Sequence, residues 1–212
     1  MKKRLTTKRE KPYHILIISG PSGSGKSTLT KILKEHIPNL YFSISTTTRR
    51  AREGEENGRE YFFISHSDFM QGIQSGEFLE YEEVHGNFYG TGLSQFEDAI
   101  SRDAFILCDV DVKGHNSIKS HYPHAKSIFI TTKDMQTLQK RLRERNTDSE
   151  EMIQKRLLNA LEELKHATCF DYLLINDTIQ DSKEAILHIA KSVFLINTEA
   201  RVQDLVEKFY IS

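Results

Sequence analysis

The chain has 212 residues, 38% of them hydrophobic and 28% charged, and its 29 Lys and Arg nearly balance 30 Asp and Glu. That length and mixture fit one soluble globular domain, or one core carrying an insertion, and exclude a disordered chain, a generally basic nucleic-acid binder and an acidic tail protein. The longest apolar run near the start, residues 15–18, is far short of a signal-peptide core or a membrane span. Two cysteines, Cys108 and Cys169, show no metal spacing and build no disulfide framework, so a reducing cytoplasm is the expected compartment.

In chain order, residues 1–13 open with six Lys and Arg against Glu10 and read as a basic, solvated tail, since no aromatic residue interleaves the charges to stack on a base. Residues 14–18 are rich in β-branched side chains and end in Ser19-Gly20-Pro21, which predicts a buried strand. Leu29, Ile32 and Leu33 place a helix over 28–36, closed by Pro38. Further strands are predicted at 41–45, 105–110, 127–131 and 172–175, and helices at 92–100, 134–145, 150–165 and 182–196. Strands alternating with helices require crossover connections, hence an α/β fold with a mainly parallel sheet flanked by helices. Two stretches break that rhythm. Residues 46–91 are polar, aromatic and punctuated by glycine, which predicts an inserted mixed α+β subdomain between core segments 14–45 and 92–198. Residues 143–151, centred on Asn146-Thr147-Asp148-Ser149, separate two helical patterns and predict a mobile lid. Residues 199–212 form a C-terminal extension with helical spacing at Val202, Leu205, Val206 and Phe209.

Gly20-Pro21-Ser22-Gly23-Ser24-Gly25-Lys26-Ser27 fits G-x-x-x-x-G-K-[ST] and lies between a predicted buried strand and a helix that continues through Thr28. Glycines let the backbone wrap a polyphosphate while successive amide N–H groups and the helix dipole face the anion. Lys26 is expected to span the β- and γ-phosphates of a nucleoside triphosphate and Ser27 to hold Mg²⁺. An acid at the end of another core strand should complete the metal site, and Asp109 is the choice, acting through water. Cys108 beside it reads as a small buried hydrophobe.

The insertion should decide between hydrolysis and transfer. Its first stretch ends a strand in Ser45 and three threonines and then presents Arg49, Arg50 and Arg52, the residue type that clamps a phosphate bidentately. The hydroxyls of Tyr61 and Tyr89 can complete such a clamp. Glu80 can accept two hydrogen bonds from the N1–H and 2-amino group of guanine, donors that adenine lacks on that edge. Ser45 and Thr91 hydroxyls are candidates for the rest of the base.

At these residues the sequence resembles guanylate kinase. The family's G-P-S-G-x-G-K-S/T loop, S-x-S-x-T-T-R-x-x-R-x-G-E segment, G-N-x-Y-G-[ST] run, D-[IV]-D-x-x-G strand end, R-L-x-x-R-x-x-x-[ST]-E-E lid and I-x-N-D element stand in order. They occupy residues 20–27, 43–55, 86–91, 109–114, 141–151 and Ile175-Asn176-Asp177, and the likeness runs from about 14 to 196. The resemblance implies a P-loop fold with a GMP-binding insertion, and the reaction ATP + GMP to ADP + GDP with Mg²⁺. It places Ser45, Glu80, Thr91 and Asp111 at the guanine base, and Arg49, Arg52, Tyr61 and Tyr89 at the GMP phosphate. It further implies that Arg141, Arg145 and Arg156 close on the transferring phosphoryl group, and that Asn176 lies near the ATP adenine. No nucleic-acid or membrane partner is expected. Three positions depart from the pattern: Ala51 stands for Pro, Lys113 for Gln and Asn146 for Gly. Two other readings stay open at this point: a kinase of AMP, UMP or a phosphorylated ribose on the same scaffold, and the non-catalytic guanylate-kinase-like modules that bind phosphopeptides.

Overall fold

The computed structural model describes residues 13–84, 86–144 and 148–211, so the expectations for the tail before Tyr13 and for Arg145 and Asn146 lie outside the described residues. In chain order the strands and helices are β1 (His14–Ser19), α1 (Lys26–His36), β2 (Leu40–Phe42), β3 (Thr46–Thr47), β4 (Phe62–Phe63), α2 (His66–Ser75), β5 (Phe78–Val84), β6 (Asn87–Gly92), α3 (Leu93–Ser101), β7 (Phe105–Asp109), α4 (Val112–His121), β8 (Lys126–Thr131), α5 (Met135–Glu144), α6 (Glu150–Lys165), β9 (Tyr172–Ile175), α7 (Ile179–Val193) and α8 (Glu199–Ile211). Five parallel strands make the central sheet in the order β2–β7–β1–β8–β9.

Strand β1 shows why the sheet is covered on both sides. Leu16 and Ile18 join Leu107, Ile128 and Ile130 against Leu29 and Leu33 of α1 and Ile186, Ala190 and Val193 of α7. Ile15 and Ile17 point the other way, with Ile106 and Cys108, onto Phe96 and Ala99 of α3 and Ile118 of α4. Successive residues of a strand face opposite sides, so a run of apolar residues with no polar alternation requires helices on both faces.

The second sheet, in the order β4–β3–β6–β5, is mixed: β3 pairs β4 in parallel and β6 in antiparallel fashion, and β5 and β6 form an antiparallel hairpin. Helix α2 covers it through Phe69, whose ring stacks on Phe78 at 4.3 Å and Phe88 at 5.4 Å. The insertion is rooted in the main core at β5. Leu79 is buried with the α3–α4 cluster, and the Ser117 hydroxyl of α4 donates to the Leu79 carbonyl at 2.9 Å.

Helices α5 and α6 form a hairpin with a small core of its own, Leu138, Leu142, Ile153, Leu157 and Ala160. The Arg143 guanidinium braces it with paired bonds of 2.8 and 2.9 Å to the Glu150 carboxylate.

Some elements differ from the sequence expectation for identifiable reasons. Helix α4 is not predicted because only Val112 and Ile118 are apolar along it; it starts where the Asp111 carboxylate accepts from the Gly114 N–H at 2.8 Å. Strand β2 ends at Phe42 because the chain then crosses to the second sheet. Ser43 still donates to the Leu107 carbonyl at 2.9 Å, while Thr46 and Thr47 already pair with Gly90 and Tyr89. Helix α7 begins at Ile179, ahead of residue 182, because Thr178 caps the Asp181 N–H at 3.3 Å. Helix α8 stands exposed along the residues whose side chains are described.

Candidate active site

Strand β1 ends directly in the phosphate loop, at the carboxyl edge of the sheet where parallel strands leave their crevice. Gly20 has φ +137°, and a Cβ there would lie 2.0 Å from the Ile130 carbonyl oxygen, so no other residue lets the loop pass β8 this closely. Gly25, at φ +95°, precedes α1, and its missing Cβ would fall 2.2 Å from Asn176 Nδ2. Ser27 and Thr28 are exposed in the first turn of α1, with no acidic residue there to oppose an incoming phosphate. The Lys26 ammonium folds over the loop and donates to the Gly20 carbonyl and, at 3.2 Å, to the Pro21 carbonyl.

Asp109 ends β7 beside Ile18, one residue before the end of β1 at Ser19, and the following Val110 N–H donates to the Ile18 carbonyl at 3.2 Å. Burial raises the Asp109 carboxyl above its ordinary value while the Lys26 charge opposes that rise. Its neighbour Cys108 is fully buried and its thiol is pushed up by burial, so it is inert packing.

Asn176, which the resemblance places near the ATP adenine, lies against the phosphate loop. Its side chain is buried at 5% exposure, and its amide donates to the Ser24 carbonyl at 2.7 Å, while its own N–H donates to the Thr131 carbonyl at 2.7 Å. Through these two bonds Asn176 straps the phosphate loop to the end of β8. Asn176→Ala leaves the buried Ser24 carbonyl without that donor, which costs on the order of 1–3 kcal/mol. The expected result is a lower Tm together with a KM for ATP raised about five- to tenfold; a KM for ATP equal to wild type in steady-state kinetics would refute the strap.

The lid-side arginines reach the same loop. Arg156 of α6 donates to the Ser22 hydroxyl at 2.7 Å and to Asp148 at 3.2 Å. Arg141 of α5 donates to the Asn176 carbonyl at 2.9 Å and lies 3.8 Å from the position a Gly25 Cβ would take. Leu138 and Leu142 of α5 contact the space beside Gly23, so the hairpin packs on the loop.

On the insertion, β3 and the turn after it carry Arg49, whose guanidinium lies 5.4 Å from the Tyr61 ring centre and 5.7 Å from that of Phe63. Tyr89 of β6 meets Tyr61 edge-on at 5.8 Å, so the proposed clamp residues Arg49, Tyr61 and Tyr89 converge. Glu55, to which sequence reading gave no role, organises this corner. It accepts from Arg49 at 2.9 Å and from the Arg52 backbone N–H at 2.8 Å. Those bonds hold the Glu55 carboxyl below its usual range. The three-residue spacing from Arg52 to Glu55 was the signal available. The Arg52 side chain is exposed at the edge of this corner, and Ser45 uses its carbonyl to pair with the Phe62 N–H at 2.9 Å.

Glu80 of β5 sits opposite Thr91 of β6, whose hydroxyl donates to it at 2.5 Å. Burial raises the Glu80 carboxyl above its ordinary value; the Thr91 bond opposes this, and the nearby Asp111 and Glu82 charges add to it. Asp111 spends one oxygen on the α4 cap and keeps the other free of that bond. The stretch Asp109-Val110-Asp111 therefore touches both halves of the site, Asp109 under the field of Lys26 and Asp111 acting on Glu80.

Comparison with known proteins agrees with this geometry. The family model described as guanylate kinase matches residues 12–193. A guanylate kinase of Helicobacter hepaticus is 52% identical over 196 residues, 92% of this chain and 98% of its own length. One from Helicobacter pylori is 51% identical over 181 residues, 85% of this chain and 88% of that protein. The crystal structure of guanylate kinase from Anaplasma phagocytophilum superposes with a TM-score of 0.72 at 28% identity, covering 96% of this chain and 98% of that one. With a phosphate loop, an inserted sheet bearing an acid pocket and relatives of this identity over most of its length, the chain belongs to the guanylate kinase family.

Proposed function

We propose that the protein transfers the γ-phosphoryl group of ATP to GMP, giving ADP and GDP, and so serves the recycling of guanine mononucleotides. The observation that carries the reading is the pairing of the half-buried Glu80 carboxylate with Thr91 beside Asp111, two residues along the chain from the acid that faces Lys26. A carboxylate there accepts from guanine N1–H and the 2-amino group and leaves adenine with no donor to offer.

Phosphoryl transfer asks little covalent work of the protein, so position and charge supply the rate. Ser27 and, through water, Asp109 would hold the Mg²⁺ that accompanies ATP, whose chemistry is to neutralise charge on the β- and γ-phosphate oxygens. The exposed Ser27 hydroxyl and the half-buried Asp109 carboxylate, two oxygen donors at the mouth of the loop, suit a hard cation. Lys26 leaves its loop carbonyls for the β- and γ-phosphates. Arg49, Arg52, Tyr61 and Tyr89 hold the acceptor phosphate, with Arg49 exchanging Glu55 for it. Ser45, Glu80, Thr91 and Asp111 orient the base. Arg141, Arg145 and Arg156 bring positive charge to the transferring group as the hairpin closes and excludes water. Among the described residues no helix is long and apolar enough to cross a membrane.

An assay of ADP release with GMP, dGMP, AMP and UMP as acceptors tests the reading. GMP is expected to be the best acceptor and dGMP to follow. Phosphorylation of AMP or UMP without phosphorylation of GMP would overturn it, and failure to bind ATP with Mg²⁺ would favour the non-catalytic module.

A further inference from the structure

Residues 77–111 contain nine Asp and Glu and one base, Arg102. The next base along the chain is Lys113, at the point where the family resemblance leads one to expect Gln. Its ammonium donates to the Glu82 carboxylate, an ion pair between the first turn of α4 and strand β5. Glu82 and Glu80 are two apart on β5 and so share a face of the strand. Lys113 also lies within the field of Asp111, and it lines, with Glu80, Tyr81 and Ser117, a cavity of about 320 Å³ at the junction of α4 and β5.

We propose that Lys113 is a positioning residue of the guanine site: by tying Glu82 to α4 beside Asp111, it holds β5 at the core so that Glu80 and Asp111 face one base together. The inference rests on the assignment of Glu80 and Asp111 to guanine. The junction is the right place for such a tie. Leu79 is buried in the main core and the Ser117 hydroxyl bonds its carbonyl at 2.9 Å, so β5 leaves the core immediately before Glu80. The groups facing Glu80 are Thr91 from β6, Glu82 from β5, Asp111 from the start of α4 and Cys108 from β7; two are acids, and Lys113 is the cation paired with Glu82 and within the field of Asp111. Without it, the Glu82 charge beside Glu80 loses its paired cation, and the ionised form that guanine needs is further disfavoured.

The test compares wild type, Lys113→Gln, Lys113→Arg and Glu80→Gln in steady-state kinetics with GMP and ATP varied separately. Lys113 is 76% exposed, so its tie is worth what surface pairs are worth, and Lys113→Gln should raise the KM for GMP about three- to fivefold at low salt. KM for ATP, kcat and Tm should stay near wild type, and Lys113→Arg should restore the KM for GMP. Adding about 0.5 M KCl, roughly three to five times ordinary ionic strength, should close most of the gap. The acid limb of kcat/KM for GMP should move to higher pH in Lys113→Gln, a change that mere loss of packing does not produce. An unchanged KM for GMP in Lys113→Gln, with Glu80→Gln impaired, overturns the role of Lys113 and leaves the guanine site standing. Unchanged KM values in both variants overturn the guanine assignment and the inference with it.

Discussion

Lys26→Ala is expected to fold like wild type and to lose about a thousandfold in kcat, the scale on which a single preorganised charge at a transferring group is felt. The ammonium rests on the Gly20 and Pro21 carbonyls, at the lip of a loop whose shape is set by other parts: the close passage of Gly20 against Ile130, and the Asn176 amide on Ser24. Removing it therefore takes away charge without dismantling the loop. The substitution also removes the one influence that lowers the Asp109 carboxyl, so that acid should titrate at higher pH in the variant. Lys26→Arg should not rescue, because a planar guanidinium cannot take the place of a compact ammonium between two loop carbonyls and two phosphates. Matching circular dichroism and Tm alongside a coupled ADP-release assay gives the measurement. Wild-type kcat in a correctly folded Lys26→Ala protein would sink the assignment of the loop to catalysis.

The parts legible in the sequence are those whose physics is local. Eight contiguous residues define the phosphate loop, and its glycines, lysine and serine can be given roles from spacing alone. Helix α6 and strand β9 have the bounds that hydrophobic periodicity predicts for them, because their apolar stripes are uninterrupted. What escaped depends on distant partners. Asn176 meets Ser24 across 152 positions, and nothing in Ile175-Asn176-Asp177 reveals that the amide will be spent on the loop. Helix α4 carries too few apolar residues to announce itself, since it needs only His115 and Ile118 beneath it and takes its start from the Asp111 cap. The pairing of Lys113 with Glu82 likewise exists only because the insertion's third strand returns to the core beside α4.

The near-zero net charge also gains a structural meaning. Acids and bases are segregated along the chain. The fold then brings Arg49, Arg141 and Arg156 from separate elements toward the two phosphate positions proposed above, while the acids of β5 and the β7–α4 junction gather where the base is proposed to sit. Two of these cations are paired with carboxylates that a phosphate would have to displace: Glu55 for Arg49, and Asp148 for Arg156. Exchanging one carboxylate for a dianionic phosphate retains the charge pairing of each guanidinium, so substrate binding does not have to desolvate a bare cation.

Glu80→Gln should separate binding from stability by moving them in opposite directions. Glutamine keeps an oxygen for the Thr91 hydroxyl, so the β5–β6 contact survives, but its amide end presents donors to guanine N–H groups where the carboxylate accepted from them. Losing two charge-assisted hydrogen bonds costs about 3–4 kcal/mol, which is a fall in kcat/KM for GMP of roughly 10²–10³-fold. KM for ATP should not change. Stability should rise. Burial, together with Asp111 and Glu82, lifts the Glu80 carboxyl above its ordinary value against the pull of Thr91, so the folded state binds this proton more tightly than the unfolded chain does. A group of that kind contributes stability at pH below the ordinary glutamate pKa and loses it as pH rises through the raised folded value. At pH 7 the ionised Glu80 is thus a destabilising element retained for the base, and removing its charge should raise Tm by about 2 °C. Scanning calorimetry from pH 7 down to pH 4 should show the two proteins converging as Glu80 takes up its proton. A variant with a lower Tm at pH 7, or one that phosphorylates GMP as well as wild type, would mean that the carboxylate is structural and that guanine is read elsewhere.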